Sequence, residues 1–227
     1  MLKKNLLVAA LVASFSVPAL AEDLTFSSNV MLASDYIFRG QTQTGKGAAI
    51  QGGFDLTHAS GLYAGVWSSS ISWLENTADN SGTEIDTYAG YAGTAGGIGY
   101  NVGFLRYNYP GDYGTNLSAD TNEIYGAVTY EIVTAKVSYS LGDTFGNANS
   151  KGSTYLEAGV KYPVADTGLT VGAHYGKQTF ANNSTLDYND YNLSVSKDFG
   201  GYVFGLMLNK PSLGTYSSTV VTLSRAM

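Results

Sequence analysis

Glu84-Ile85-Asp86-Thr87-Tyr88-Ala89-Gly90-Tyr91 puts Glu84, Asp86 and Tyr88 on one parity and Ile85, Thr87, Ala89 and Tyr91 on the other. Strict period-two alternation belongs to a strand whose two faces meet unlike surroundings. The rhythm recurs on both sides of this stretch. Upstream, Leu24, Phe26, Val30, Leu32, Tyr36 and Phe38 alternate with Thr25, Ser27, Asn29, Asp35 and Arg39 across 24–39, and Ile50, Phe54 and Leu56 with Gln51, Asp55 and Thr57. Downstream it returns around Ile124, Val137, Leu156, Val171 and Leu193. Glycines and mixed residues blur the faces in 61–73, 97–109, 202–209 and 217–227. Twelve strands are expected in all, with ten as the alternative count.

The breaks between strands differ in length. Ala59-Ser60-Gly61, Thr94-Ala95-Gly96, Asp166-Thr167-Gly168 and Gly200-Gly201 are tight, whereas the breaks near 75–82, 110–120, 143–152, 178–188 and 209–216 are long and polar. Short turns at one end, long loops at the other and an even strand number are the layout of an outer-membrane barrel. Composition agrees, since 28 Gly, 18 Tyr and 9 Phe suit strands and tight turns. No stripe of Leu, Ala, Glu and Lys at helical spacing is present. The expected fold is all-β, a closed antiparallel transmembrane barrel with short periplasmic turns and longer outer loops.

Charge decides which face is wet. Asp35, Arg39, Asp55, Glu84, Asp86, Arg106, Glu123, Lys136, Glu157 and Lys161 are read as lying on the polar face, strand after strand. Twelve strands enclose more room than their own apolar side chains fill easily, so these residues are expected to line a lumen while the apolar face meets lipid. Partners across strands are expected to be Arg39 with Asp55 or Asp86, and Arg106 with Glu84 or Glu123. Tyr36, Phe38, Tyr63, Trp67, Tyr88, Tyr91, Tyr107, Tyr109, Tyr130, Tyr139 and Tyr162 fall near strand ends and suit the lipid–water interface.

The N-terminus is expected to carry an export signal. Lys3 and Lys4 precede an apolar stretch from Leu6 to Leu20, and Ala19-Leu20-Ala21 has the pattern of a cleavage site. The stretch is shorter than the roughly 20 residues of a membrane helix. A leader over 1–21 and a barrel over 22–227 are therefore expected. Loss of the leader removes two lysines and no acid, taking the formal charge from −6 to −8. An acidic chain without a basic stripe is not built for nucleic acid. Cysteine is absent, so disulfides contribute nothing to stability.

Certain strings carry a family resemblance. Ser34-Asp35-Tyr36-Ile37-Phe38-Arg39-Gly40 with Gln41-Thr42-Gln43, then Gly61-Leu62-Tyr63-Ala64-Gly65-Val66-Trp67, Glu84 to Tyr91, and Tyr107-Asn108-Tyr109-Pro110-Gly111 follow one another in that order. Together they resemble the TorF-type porin family of proteobacteria, strongly over 30–130 and by strand rhythm beyond. The resemblance implies an outer-membrane barrel that acts as a porin, without a proven substrate. Its implied partners are the bilayer with its lipopolysaccharide, the barrel-assembly machinery during insertion, and small solutes or ions. The chain departs from the pattern at Val221-Thr222-Leu223-Ser224-Arg225-Ala226-Met227. Such barrels usually finish on an aromatic residue that the assembly machinery reads, so less efficient insertion is expected with Met227.

Hidden catalytic chemistry has few candidates. Of the two histidines, His58 precedes a turn on the apolar parity, and His174 lies on the polar parity without any local nucleophile signature. Glu84 and Asp86 are two apart on one face, yet no loop has the Asp/Asn spacing of a calcium motif, and the Gly-x-Gly strings of 97–103 belong to a strand. No enzyme, metal or cofactor is expected. Six acids against four bases among the ten charges predict a weakly cation-leaning channel for passive diffusion. The alternatives are a closed structural or adhesive barrel acting through its loops, and an outer-membrane lipid-modifying enzyme using His174.

Overall fold

The computed structural model describes residues 23–75, 80–111, 118–213 and 217–227. The expected leader over 1–21 lies outside them, as do parts of the breaks near 75–82, 110–120 and 209–216. Twelve strands close an antiparallel barrel: β1 (Leu24–Ala33), β4 (Ala49–His58), β5 (Leu62–Leu74), β6 (Ser81–Ala95), β7 (Ile98–Asn108), β8 (Thr121–Tyr130), β9 (Val133–Ser140), β10 (Thr154–Val164), β11 (Leu169–Thr179), β12 (Tyr188–Phe199), β13 (Tyr202–Pro211) and β14 (Ser218–Ala226). Neighbours in sequence pair throughout, and β1 also pairs with β14. Ser28 and Met227 exchange two backbone hydrogen bonds of 2.9 Å at that seam. Closure leaves no sheet edge with unpaired backbone groups, which a bilayer core requires.

Both described termini and the short turns 59–61, 96–97, 131–132, 165–168 and 200–201 share one end. The longer connections share the other. Outward positions are apolar and exposed, with Phe54 at 67% and Leu193 at 61%. A band of this kind matches hydrocarbon and not water. Tyr91, Tyr130, Tyr139 and Tyr162 stand on it, as expected for interfacial rings.

The first expected strand requires correction. The wall strand β1 stops at Ala33, and residues 34–48 turn inward and form a small hairpin of β2 (Ile37–Phe38) and β3 (Gln41–Thr42). Arg39 (φ 45°) and Gly40 (φ 78°) form its two-residue turn, both left-handed as a type I′ turn demands. A Cβ at Gly40 would overlap the Asp190 side chain, so the turn touches the wall at β12, three strands round from β1. Tyr36 and Phe38 therefore pack inside, edge-on to Trp67 and to Tyr107 and Phe145. Tyr63, Trp67, Tyr88, Tyr107 and Tyr109 are also interior. Their expected place at the lipid interface is corrected, because an aromatic ring suits a crowded lumen as well as a head-group layer.

Inside the wall, glycine makes room for tyrosine. Tyr63 lies opposite Gly90 and Tyr125 opposite Gly103. A Cβ on either glycine would collide with the facing phenol. The two rings lie across the neighbouring strands, and their hydroxyls meet.

Candidate functional site

Strand parity aims Glu84, Asp86, Glu123, Gln178 and Asp190 into the outer half of the lumen, where the hairpin enters. Arg39, at the hairpin tip, donates to both Glu123 oxygens, Nη1 at 2.9 Å and Nη2 at 2.7 Å. A third bond of 3.1 Å runs from Nη1 to Gln178 Oε1, and the guanidinium lies 4.5 Å from the centroid of Tyr155. Burial opposes the charge on Arg39, but the Glu123 carboxylate paired with it holds the guanidinium protonated.

Other contacts fix the rest of the hairpin. The Tyr36 hydroxyl donates to Glu84 Oε1 at 3.0 Å, and Asn209 Nδ2 donates to the Gly40 carbonyl at 2.9 Å. Tyr36 and Tyr109 are pushed well above an ordinary phenol, by burial first and then by Glu84, so both hydroxyls stay protonated. Asp35 works within the loop, accepting from Thr42 at 2.5 Å and Thr44 at 3.0 Å. It is not a wall residue, because β1 has already ended.

The outcome is a septum. Every wall strand gives a buried inward residue at this level, from Ala33 on β1 through Glu84, Glu123, Gln178 and Asp190 to Val220 on β14. Below it, toward the short turns, lies a cavity of about 440 Å³ lined by Tyr63, Trp67, Asp86, Tyr88, Tyr125 and Lys136, among others. Asp55 accepts a 2.6 Å bond from Tyr88 in this region. Lys136 and Glu157 lie directly opposite each other, 3.6 Å apart. Lys161 shares Glu157's parity farther toward the turns and is exposed.

Arg106 is placed differently from its expectation. It pairs in register with Thr87 and Asn122 on the outward parity of β7, near the loop end, and bonds Asp120 at 2.8 Å and Asn108 at 2.6 Å. It does not face the lumen. The expected pairing of Arg39 with Asp55 or Asp86 gives way to Glu123, because the hairpin carries Arg39 across the barrel. The histidines are polar wall groups: His58 bonds Ser60 at 2.7 Å, and His174 Nε2 lies 3.1 Å from Tyr155 Oη and 3.2 Å from Asp190 Oδ1. Tyr36, Gln178, Asp190 and Asn209 were not singled out as site residues. The sole local signal was Arg39-Gly40, a dipeptide able to make a tight turn inside an apparent strand.

These features define a closed, twelve-stranded membrane-type β-barrel plugged by its own first long loop. The chain belongs to the bacterial family described as of unknown function (Gcw_chp), which it matches over residues 19–215. No curated protein matches its sequence. Among solved structures it is similar to a protein from a study of in-meso crystallisation of membrane proteins, at 8% identity and TM-score 0.56, covering 89% of this chain and 83% of that one. It is also similar to outer membrane phospholipase A from Escherichia coli, at 13% identity and TM-score 0.50, covering 88% and 95%. The outer membrane protein OprD from Pseudomonas aeruginosa aligns at 14% identity and TM-score 0.43, covering 91% and 65%. At these identities the likeness is one of fold.

Proposed function

We propose that the protein is a porin-like pore of the bacterial outer membrane that rests closed and admits small hydrophilic solutes or ions when the loop 34–48 moves. The apolar outer wall and the edgeless sheet support residence in that bilayer. The observation that carries the gating is the chemistry of the plug's attachment. Its cross-lumen bonds are polar, from Arg39 to Glu123 and Gln178, Tyr36 to Glu84, and Asn209 to Gly40. Water can replace such bonds at a net cost of about 0.5–1.5 kcal/mol each, more for the charged one. Glu84, Asp86, Glu123 and Asp190 are buried on the wall here, whereas Asp35 and Arg39 belong to the loop and move with it. An opened path past four wall carboxylates favours cations.

Tyr36 and Gln43 are already paired, Gln43 N donating to Tyr36 O at 2.7 Å, so Ile37–Thr42 can be replaced by a two-glycine turn. In planar bilayers under a salt gradient, the unaltered protein should be silent or open briefly, and the shortened one should give steady, cation-leaning steps. A shortened barrel that is folded, inserted and silent would instead indicate a closed structural barrel acting through its loops. A lipid-modifying role has a weaker basis. The His174 ring is occupied by Tyr155, Asp190 and Glu157 within the lumen, away from the lipid face, and we assign it to the wall and not to catalysis.

A further inference from the structure

The cavity of about 440 Å³ below the septum takes its lining from β5, β6, β7, β8 and β9, not from loop 34–48. The loop meets that lining where Tyr36 packs edge-on against Trp67. Three phenols cover the cavity wall. Tyr88 lies over Gly65, Tyr63 over Gly90 and Tyr125 over Gly103, so each ring is laid against the sheet with its other face toward the cavity. Trp67 stands beside Asp86 in register. Lys136 Nζ lies 4.9 Å from the Tyr125 centroid, so one of these ring faces already holds a cation.

Asp86 differs from the other charges of the lumen. It is 8% exposed, lines this cavity, and makes no hydrogen bond or ion pair among the described residues. Its Oδ1 is sealed off, so contact with a guest falls to Oδ2. The nearby cations are held elsewhere, Lys136 by Glu157 at 3.6 Å and Arg39 by Glu123 at 2.7 Å. Asp55 adds a second carboxylate beside Tyr88, whose hydroxyl it accepts at 2.6 Å. A charge taken out of water without a partner is costly, and a guest cation at Oδ2 would remove that cost.

We propose that this cavity binds an organic cation, an ammonium carrying alkyl or aryl groups, with its charge at Asp86 and its carbon against Trp67, Tyr63 and Tyr88. A hard metal ion needs about six or more oxygen ligands. Here one carboxylate oxygen is reachable, and the phenol oxygens are engaged with Asn101, Asp55 and one another. A weakly hydrated ammonium needs only a carboxylate and ring faces. An anion would meet Asp55 and Asp86 with Lys136 already paired. The site does not rest on the pore reading, since its lining is all wall and binding is measured on the closed barrel. A barrel that never conducts can still bind the cation, and a conducting one can fail to.

The test is calorimetric titration of the detergent-solubilised full chain with choline, against its neutral isostere 3,3-dimethyl-1-butanol and against sodium chloride as competitor. Saturable one-to-one binding of choline is expected, with the alcohol at least about tenfold weaker. Equimolar sodium should not displace it. Asp86→Asn, which keeps the shape and removes the charge, should weaken choline by about tenfold, and Trp67→Leu by about three- to tenfold. Heat-dependent migration on gels checks that each variant is folded, and Trp67→Leu carries the test should Asp86→Asn not fold. Absence of saturable choline binding to folded protein overturns the proposal. So does equal binding of the alcohol, which would mean an apolar hollow, or displacement by equimolar sodium, which would mean a small-ion site. Choline binding that a folded variant leaves unchanged overturns it as well.

Discussion

Arg39 concentrates the cost and the purpose of the septum in one residue. It adopts a left-handed backbone that non-glycine residues avoid, and its side chain and that of Glu123 are 5% and 2% exposed. Removing one member of a buried pair strands the other's charge, at about 3–5 kcal/mol, whereas replacing both with apolar groups is often near neutral. Arg39→Met should therefore lower unfolding stability by about that amount, and adding Glu123→Met should recover most of the loss. Denaturant unfolding of the three variants checks this, and simple additivity of the two losses would mean the pair is not coupled. The same residues show what alternation could and could not reveal. Parity sets Glu84, Asp86 and Glu123 apart from their apolar neighbours, since adjacent residues must face opposite ways, and the structure buries all three. Alternation could not name their partners, because Arg39 reaches Glu123 from 84 positions away. Arg106 shows the converse: alternation alone assigns its charge to the lumen, while its outward position is satisfied by Asp120 at the rim.

At the scale of the element, the wall strands were legible and the hairpin was not. Lipid and a packed lumen both reward aromatic residues, so Tyr36 and Phe38 continue the apolar parity of β1 although they leave the wall. Period two reports an extended backbone, and an extended backbone serves β2 as well as β1. Turn chemistry carried the missing information, in the left-handed Arg39-Gly40 pair. The glycines of 97–109, which blurred the alternation, have a positive reason as well. Gly103 sits under the Tyr125 ring and Gly90 under Tyr63, so the wall can carry phenols into the lower cavity without widening. Gly103→Val should push Tyr125 aside and cost about 1–3 kcal/mol, as overpacking does. The unfolding midpoint measures it, and an unchanged midpoint would show that the ring is not confined by its neighbour.

For the molecule as a whole, the decisive property is inversion, with apolar groups outside and polar groups within. The pattern accounts for an acidic, cysteine-free chain that holds together without a conventional core: β-sheet closure satisfies the backbone, lipid covers Phe54 and Leu193, and the lumen pairs its own charges. It also makes stability depend on face more than on residue type. Phe104, near the middle of β7, points outward, and Asn101 three positions earlier points into the lower cavity. Arginine at Phe104 must place a guanidinium in hydrocarbon, at about 2–4 kcal/mol near the midplane. Arginine at Asn101 meets a polar, solvent-reachable space and gives up the 2.6 Å bond from Tyr63, about 1 kcal/mol. Unfolding from lipid vesicles should thus rank Phe104→Arg well below Asn101→Arg, whereas in detergent, whose head groups adapt to a local charge, the gap should narrow. Equal losses in vesicles would mean that the apolar face is not the one lipid covers, and the inverted barrel would have to be abandoned.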